Sequence, residues 1–206
     1  MAADSAHDLA HLDRVWANAQ AISREFAPTE TDAQVLLAAS YLHDLVNLPK
    51  DSPDRARASG LAATAAVPIL RDLGMDADRI AATCHAIEAH SFSAGIPPRT
   101  PEARILRDAD RLDALGAVGI ARCFAVAGAL DRPLYDPGDP FAAGRDPDDG
   151  LHTIDHFHVK LLRLARDMQT EAGRALAERR TARMIRFLED LAEEIGHPLP
   201  QDWTTT

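Results

Sequence analysis

The residues best suited to chemistry in this chain are its histidines and the carboxylates that interrupt apolar helical patterns. Nine histidines accompany few aromatic residues, and most gather in short windows: His7 and His11, His43, His85 and His90, and His156 and His158. Taken singly, such a histidine is more often a surface or packing residue. His43 differs because Asp44 follows it at the end of the apolar run Val35, Leu36, Leu37, Ala39 and Leu42. A charged Asp in that setting costs on the order of several kcal/mol unless it is paired or metal-bound. The same reasoning applies to Asp108, Asp110 and Asp113. Asp110 and Asp113 share a helix face at i and i+3, while Asp108 lies elsewhere around the axis. A salt-bridged surface stripe using Arg104, Arg107 and Arg111 is the plain alternative for some of these acids. Ile105, Leu106, Ala109, Leu112 and Leu115, however, leave that helix only a narrow solvent face. Imidazoles beside carboxylates are a donor set that a divalent metal ion can use.

Helices must position these groups. Leu9, Leu12, Val15, Trp16, Ala19, Ile22 and Phe26 recur at three- and four-residue steps, which predicts an amphipathic helix that stops before Pro28. Thr31 or Asp32 caps a second helix reaching about Leu45, apolar nearly all round and so central to the core. Asn47 to Asp54 reads as a loop. An Ala-rich helix follows over about Arg55–Leu73, which Pro68 can kink or divide. Gly74 is a stop, and Asp76 or Asp78 starts a helix reaching about His90. Pro101 and Glu102 open a helix expected to continue through Asp110 and Phe124 to about Leu130. Residues 131–150, rich in Pro, Gly and Asp, form a long polar loop, either ordered at the site entrance or mobile. Thr153 can cap a helix through Phe157, Leu161, Leu164 and Met168, and a last helix spans about Gly173–Ile195. No partner is evident for the tail after Gly196. The expectation is an all-α bundle of about six to eight helices, with residues 1–196 as one domain and 197–206 as a polar tail.

Composition agrees. A chain of 206 residues with 46% apolar content can build a real core, and 5% aromatic residues suit packed helices better than strands. Thirty-two acidic against 22 basic residues give a net charge of -10, which repels nucleic acid and anionic membrane. An anionic substrate would therefore need a bound cation and a few well-placed Arg or Lys residues. Cys84 and Cys123 lie in apolar patterns and read as buried thiols, not a disulfide scaffold. No run reaches the roughly 18 apolar residues of a membrane span, so a soluble, cytoplasmic protein is expected.

The segments HLDRVWANA, YLHDL and DADRLDALGAVGIAR, in that order, resemble the HD superfamily of metal-dependent phosphohydrolases, and the likeness extends to about residue 195. It is closest to the small single-domain nucleotide pyrophosphohydrolase-like members. The resemblance implies His11, His43, Asp44 and Asp110 as metal ligands. His7-Asp8 is also an HD pair, but it precedes the first periodic helix and is set aside. One divalent ion is implied, with Mn2+ favoured and Mg2+, Co2+, Ni2+, Fe2+ or Zn2+ also compatible with mixed imidazole and carboxylate donors.

Other candidates surround this set. His85 and His90 stand about 140° apart around a helix, so both cannot face one small ion unless the helix ends between them. His85 is read as a possible acid or substrate-facing group, and His90 as a substrate contact or second-metal ligand. Asn47 stands where relatives often carry an acid, which leaves Asp113 or Glu88 as the base, beside the catalytic role of Asp44. Lys50 could meet a phosphate. His156-Phe157-His158-Val159-Lys160-Leu161 resembles the family's H-F-x-x-K-L segment, and His156 and Lys160, at i and i+4, would share a helix face. Arg180 is a further phosphate candidate. Salt bridges within that helix pair are the bland alternative.

The resemblance implies hydrolysis of a nucleoside triphosphate to a monophosphate and pyrophosphate, without a Gly-rich phosphate loop. A nucleotide phosphomonoesterase or phosphodiesterase is the nearest alternative. A di-iron oxygenase on the same scaffold and a non-catalytic, metal-dependent ligand-binding module complete the set. The expected partner is a small phosphorylated molecule, with no nucleic acid or membrane, and the protein is expected to be a monomer or homodimer.

Overall fold

A computed structural model describes residues 9–46, 48 and 54–204 of the chain. Eight α-helices and no strand occur among these residues, so the fold is all-α. They are α1 (Leu9–Phe26), α2 (Ala33–Leu42), α3 (Ala58–Asp72), α4 (Ala77–His90), α5 (Pro101–Leu112), α6 (Gly116–Ala129), α7 (Asp155–Val159) and α8 (Glu171–Ile195). No single described helix is long and apolar enough to cross a membrane. The chain forms two compact units, Met1–Asp110 with Gln169–Gly173, and Arg111–Met168 with Arg174–Thr206.

In the first unit, α1 buries Val15, Ala19 and Ile22 together with His11 and Asn18, so its core face carries polar groups as well as apolar ones. Asp32 caps α2 by accepting from the Gln34 and Val35 amides at 2.9 and 3.3 Å, and its own amide donates to Glu102 Oε1 at 2.8 Å. The helix ends at Leu42 with His43 as its C-cap, three residues earlier than periodicity predicts, and Leu37 is exposed. Its apolar character therefore overstated its burial. α3 packs on α4 through Ser59, Ala62, Ala63, Ala66 and Leu70. Pro68 does not divide α3, which runs on to Asp72, and it sits on the exposed side. Gly74, at φ +76°, stops the helix while the Met75 amide returns to the Leu70 carbonyl. Asp76 caps α4 through the Arg79 amide. At the start of α5, Thr100 Oγ1 accepts from the Ala103 amide, and Pro101 fills the first position, where no N–H is needed.

In the second unit the expected long helix over 101–130 is broken. α5 ends at Leu112, Leu115 is extended, and Gly116 at φ +70° turns the chain into α6. A side chain at Gly119 would stand 2.2 Å from the Ala114 carbonyl oxygen, so the turn closes only on glycine. Arg180 supplies the other half of the corner: its Nη1 donates to the Leu112 carbonyl, and its stem lies 3.3 Å from where a Gly116 Cβ would be.

Residues 131–150 are ordered by their own polar groups. Asp155 is fully buried and takes both Arg145 Nη atoms and the Asp148 amide, while Asp136 and Asp139 accept from nearby loop amides. Thr153 does not cap a helix. Its amide and hydroxyl both donate to the Pro133 carbonyl, fastening the loop's far end. The helix expected from there is only α7, followed by a 3-10 turn over Leu161–Asp167. His156 and Lys160 accordingly do not share a regular α-helical face. The tail also finds a partner: Trp203 is buried, edge-on to Phe141 at 5.6 Å and stacked on His158 at 4.9 Å. Cys84 and Cys123 are half-buried thiols, less enclosed than their apolar surroundings predict, and donate to the Ala63 and Thr153 carbonyls.

Candidate metal centre

The first unit brings α1, the end of α2, the end of α4 and α5 to one point. His11 comes from the first turn of α1 and is fully buried; His43 closes α2 and is nearly so. His11 Nε2 lies 3.6 Å from both Asp44 Oδ2 and Asp110 Oδ1, and His43 Nε2 lies 3.6 and 3.8 Å from the same two atoms. Nitrogens and oxygens at this separation are too far apart for good hydrogen bonds and near enough to be edges of one coordination shell. His11, His43 and Asp110 are a group able to hold a metal ion, and so are His43, Asp44 and His90.

His43 tests that fit. Its Nδ1 is 2.9 Å from the Ser40 carbonyl, which can only accept, so Nδ1 carries the proton and Nε2 keeps its lone pair. Nε2 is buried and makes no hydrogen bond. Burial, and then the neighbouring His90, push the His43 pKa below the ordinary histidine range, against the opposing pull of Asp44 and Asp110. A neutral imidazole with a lone pair aimed at two carboxylates fits a cation better than a hydrogen-bond network.

His90 is built in the same way. Its Nδ1 is 2.6 Å from the Ile87 carbonyl, its ring is edge-on to His43 at 4.9 Å, and Nε2 is 3.9 Å from Asp44 Oδ1. Asp44 thus presents Oδ2 to His11 and His43, and Oδ1 to His90. His85 is not part of this gathering, since its Nε2 accepts the Arg99 amide at 3.0 Å. Glu88 is half-buried on α4 near His85. His7, Asp8, Asn47 and Lys50 lie outside the described residues.

Asn18 escaped sequence reasoning, and Asp108 was singled out by it without its partners. Asn18 donates through Nδ2 to the Ala109 carbonyl at 3.1 Å, joining α1 to α5 beside Asp110. Asn18 follows His11 by seven residues, two helical turns, and that spacing was the available signal. Asp108, fully buried, accepts from the Gln169 and Thr170 amides at 2.8 and 2.9 Å and from the Thr170 hydroxyl at 2.8 Å. It is a cap for the start of α8 and not part of a surface stripe. Its partners lie about sixty residues away, so spacing could not reveal them.

In the second unit, Asp113 is buried and paired with Arg122, and His156 Nδ1 is 2.7 Å from Asp149. Lys160 is exposed at the C-terminus of α7, and burial lowers the Arg180 pKa despite the nearby Asp113.

Residues 8–115 match the HD domain model, more than half of the chain. This chain belongs to the HD family. The HD protein is 34% identical over 195 residues to YpgQ of Bacillus subtilis, a match that covers 93% of the chain and 85% of YpgQ. Among solved structures it resembles B. subtilis YpgQ in complex with ADP, with TM-score 0.71, 33% identity, and 93% and 91% of the two chains covered. It also resembles an HD-superfamily hydrolase from Bacillus thuringiensis, with TM-score 0.70, 30% identity, and 95% and 89% covered. The His and Asp clusters of the HD protein have the architecture of a divalent-metal site and support metal-dependent hydrolase activity in general terms.

Proposed function

We propose that this HD protein hydrolyses nucleoside triphosphates to a monophosphate and pyrophosphate, with Mn2+ as the preferred ion. The observation that carries the reading is the convergence of buried His11 and His43 with Asp44 and Asp110, in which the His43 lone pair has no other use. The nucleotide part draws on its likeness to YpgQ, whose crystal structure contains ADP.

When bound, the ion supplies Lewis-acid polarisation at phosphate and a lowered water pKa. The protein's part is to hold that ion with His11, His43, Asp44 and Asp110. Ser40 and Ile87 fix the imidazoles of His43 and His90 through their carbonyls, so neither ring must reorient when substrate arrives. His90 offers Nε2 on the Oδ1 side of Asp44, and we assign it a substrate phosphate contact there. Asp44 and Asp110 are partly solvent-exposed, 19% and 32%, whereas the His11 and His43 side chains are closed off. Substrate therefore enters from the carboxylate side.

The test is a substrate screen on protein stripped of metal and reconstituted separately with Mn2+, Mg2+, Co2+, Ni2+, Fe2+ and Zn2+. Release of pyrophosphate and a monophosphate from a triphosphate is expected, with about one ion per chain. Release of inorganic phosphate from a monophosphate, or opening of a phosphodiester, would move the assignment to those activities. Two irons with oxygen consumption would make it an oxygenase, and metal binding without turnover on any phosphate would leave a binding module.

A further inference from the structure

We infer that Arg107 is an anion-binding residue at the rim of the metal centre, placed to take the outer phosphates of a polyphosphate substrate; this extends the phosphohydrolase reading of that site. Arg107 lies on α5 one turn before Asp110, about 60° from it around the helix, on the side that leads toward exposed Arg104. Its guanidinium carries five donors. Among the described residues it makes one hydrogen bond, a long one of 3.4 Å from Nη1 to the Ile96 carbonyl, and its buried Nε makes none. A half-buried arginine with so little local satisfaction, and with no carboxylate partner among the described residues, is not explained by packing alone.

Its surroundings give it a direction. Ile96 belongs to the segment that leaves His90 and returns to α5 at Pro101, so Arg107 is tied to the connection between two elements that each deliver a group to the centre. The other acids of α5 are occupied elsewhere: Glu102 takes the Asp32 amide, and Asp108 takes Gln169 and Thr170. Arg104, the nearest cation on the helix, is exposed, and its Nε donates to the Pro98 carbonyl at 3.4 Å. A protein with net charge -10 needs local positive charge where an anion must enter, and a planar guanidinium can grip a phosphate with two parallel bonds.

The experiment is isothermal titration of inorganic pyrophosphate into the Mn2+-loaded protein and its variants, alongside metal content. Arg107→Ala should weaken pyrophosphate binding about tenfold or more with manganese content unchanged, and Arg107→Lys should recover part of it. Arg104→Ala, which removes the same charge one residue short of a turn away, should change binding less than about twofold. Equal weakening in the two alanine variants, no weakening in Arg107→Ala, or no pyrophosphate binding by the parent protein would each overturn the assignment. Pyrophosphate binding that depends on Arg107 in a protein that hydrolyses no phosphate would uphold it while removing the proposed reaction.

Discussion

The Asn18 amide on α1 donates to the Ala109 carbonyl on α5 at 3.1 Å, one residue before Asp110 and two helical turns after His11. It therefore sets the distance between the helices that supply the first and last groups of the centre. Asn18→Leu should lower metal affinity by about tenfold and stability by roughly 1–2 kcal/mol. Titration of the metal-free variant with Mn2+, paired with urea unfolding, checks both. An unchanged metal affinity would show that α1 and α5 keep their register without this bond.

Asp44 faces His11 and His43 through one oxygen and His90 through the other. Asp44→Ala is expected to lose tight metal binding and turnover together, with helical content retained. Elemental analysis after gel filtration, circular dichroism and the hydrolysis assay are the readouts. Retention of both properties would place the working centre elsewhere.

For Asp108 the expected signature is the opposite. Its carboxylate satisfies two amides and a hydroxyl in a fully buried setting, and a Cβ on Gly173 would stand 2.4 Å from Oδ2, so nothing larger fits there. Asp108→Ala leaves those donors unsatisfied and should cost about 3 kcal/mol or more. The folded fraction should still bind metal with parental stoichiometry. A stability loss under about 0.5 kcal/mol would return Asp108 to the surface stripe first considered for it.

Asp32 gives a pH dependence whose sign follows from its partners. The hydrogen bond from Arg79 is the largest influence and holds its pKa below the ordinary aspartate value; the Val35 and Gln34 amides act the same way, and partial burial opposes them. Because the folded pKa is depressed, its stabilisation is present above the unfolded value of roughly 4 and fades as pH falls through the folded value. Asp32→Ala should cost about 1 kcal/mol at pH 7. The gap between parent and variant should shrink in urea titrations repeated below about pH 4. A gap constant across that range would mean the cap acts without its charge.

Local rules sufficed for much of the fold. Asp32, Asp76, Gly74 and Pro101 bound their helices as predicted, because capping and stop signals act within one helical turn. The corner after Leu112 was invisible to periodicity. Apolar spacing continues unbroken through it, and the break depends on Gly116, on Gly119 against Ala114, and on Arg180 from a distant helix. The Trp203 tail escaped for the same reason, since Phe141 and His158 reach it only after folding.

At the centre the division is similar. The sequence by itself determined an all-helical chain with an HD signature, and it pointed to His11, His43, Asp44 and Asp110, because a charged Asp at the end of an apolar helix and a motif order are local facts. Tertiary structure decided that His90 joins them while His85 does not, that Asp108 is a cap, and that Asn18 meets Ala109 beside Asp110. Those outcomes turn on which groups meet when helices distant in sequence pack together, Asn18 on Ala109, Asp108 on Thr170 and His90 beside Asp44, and that is set by packing.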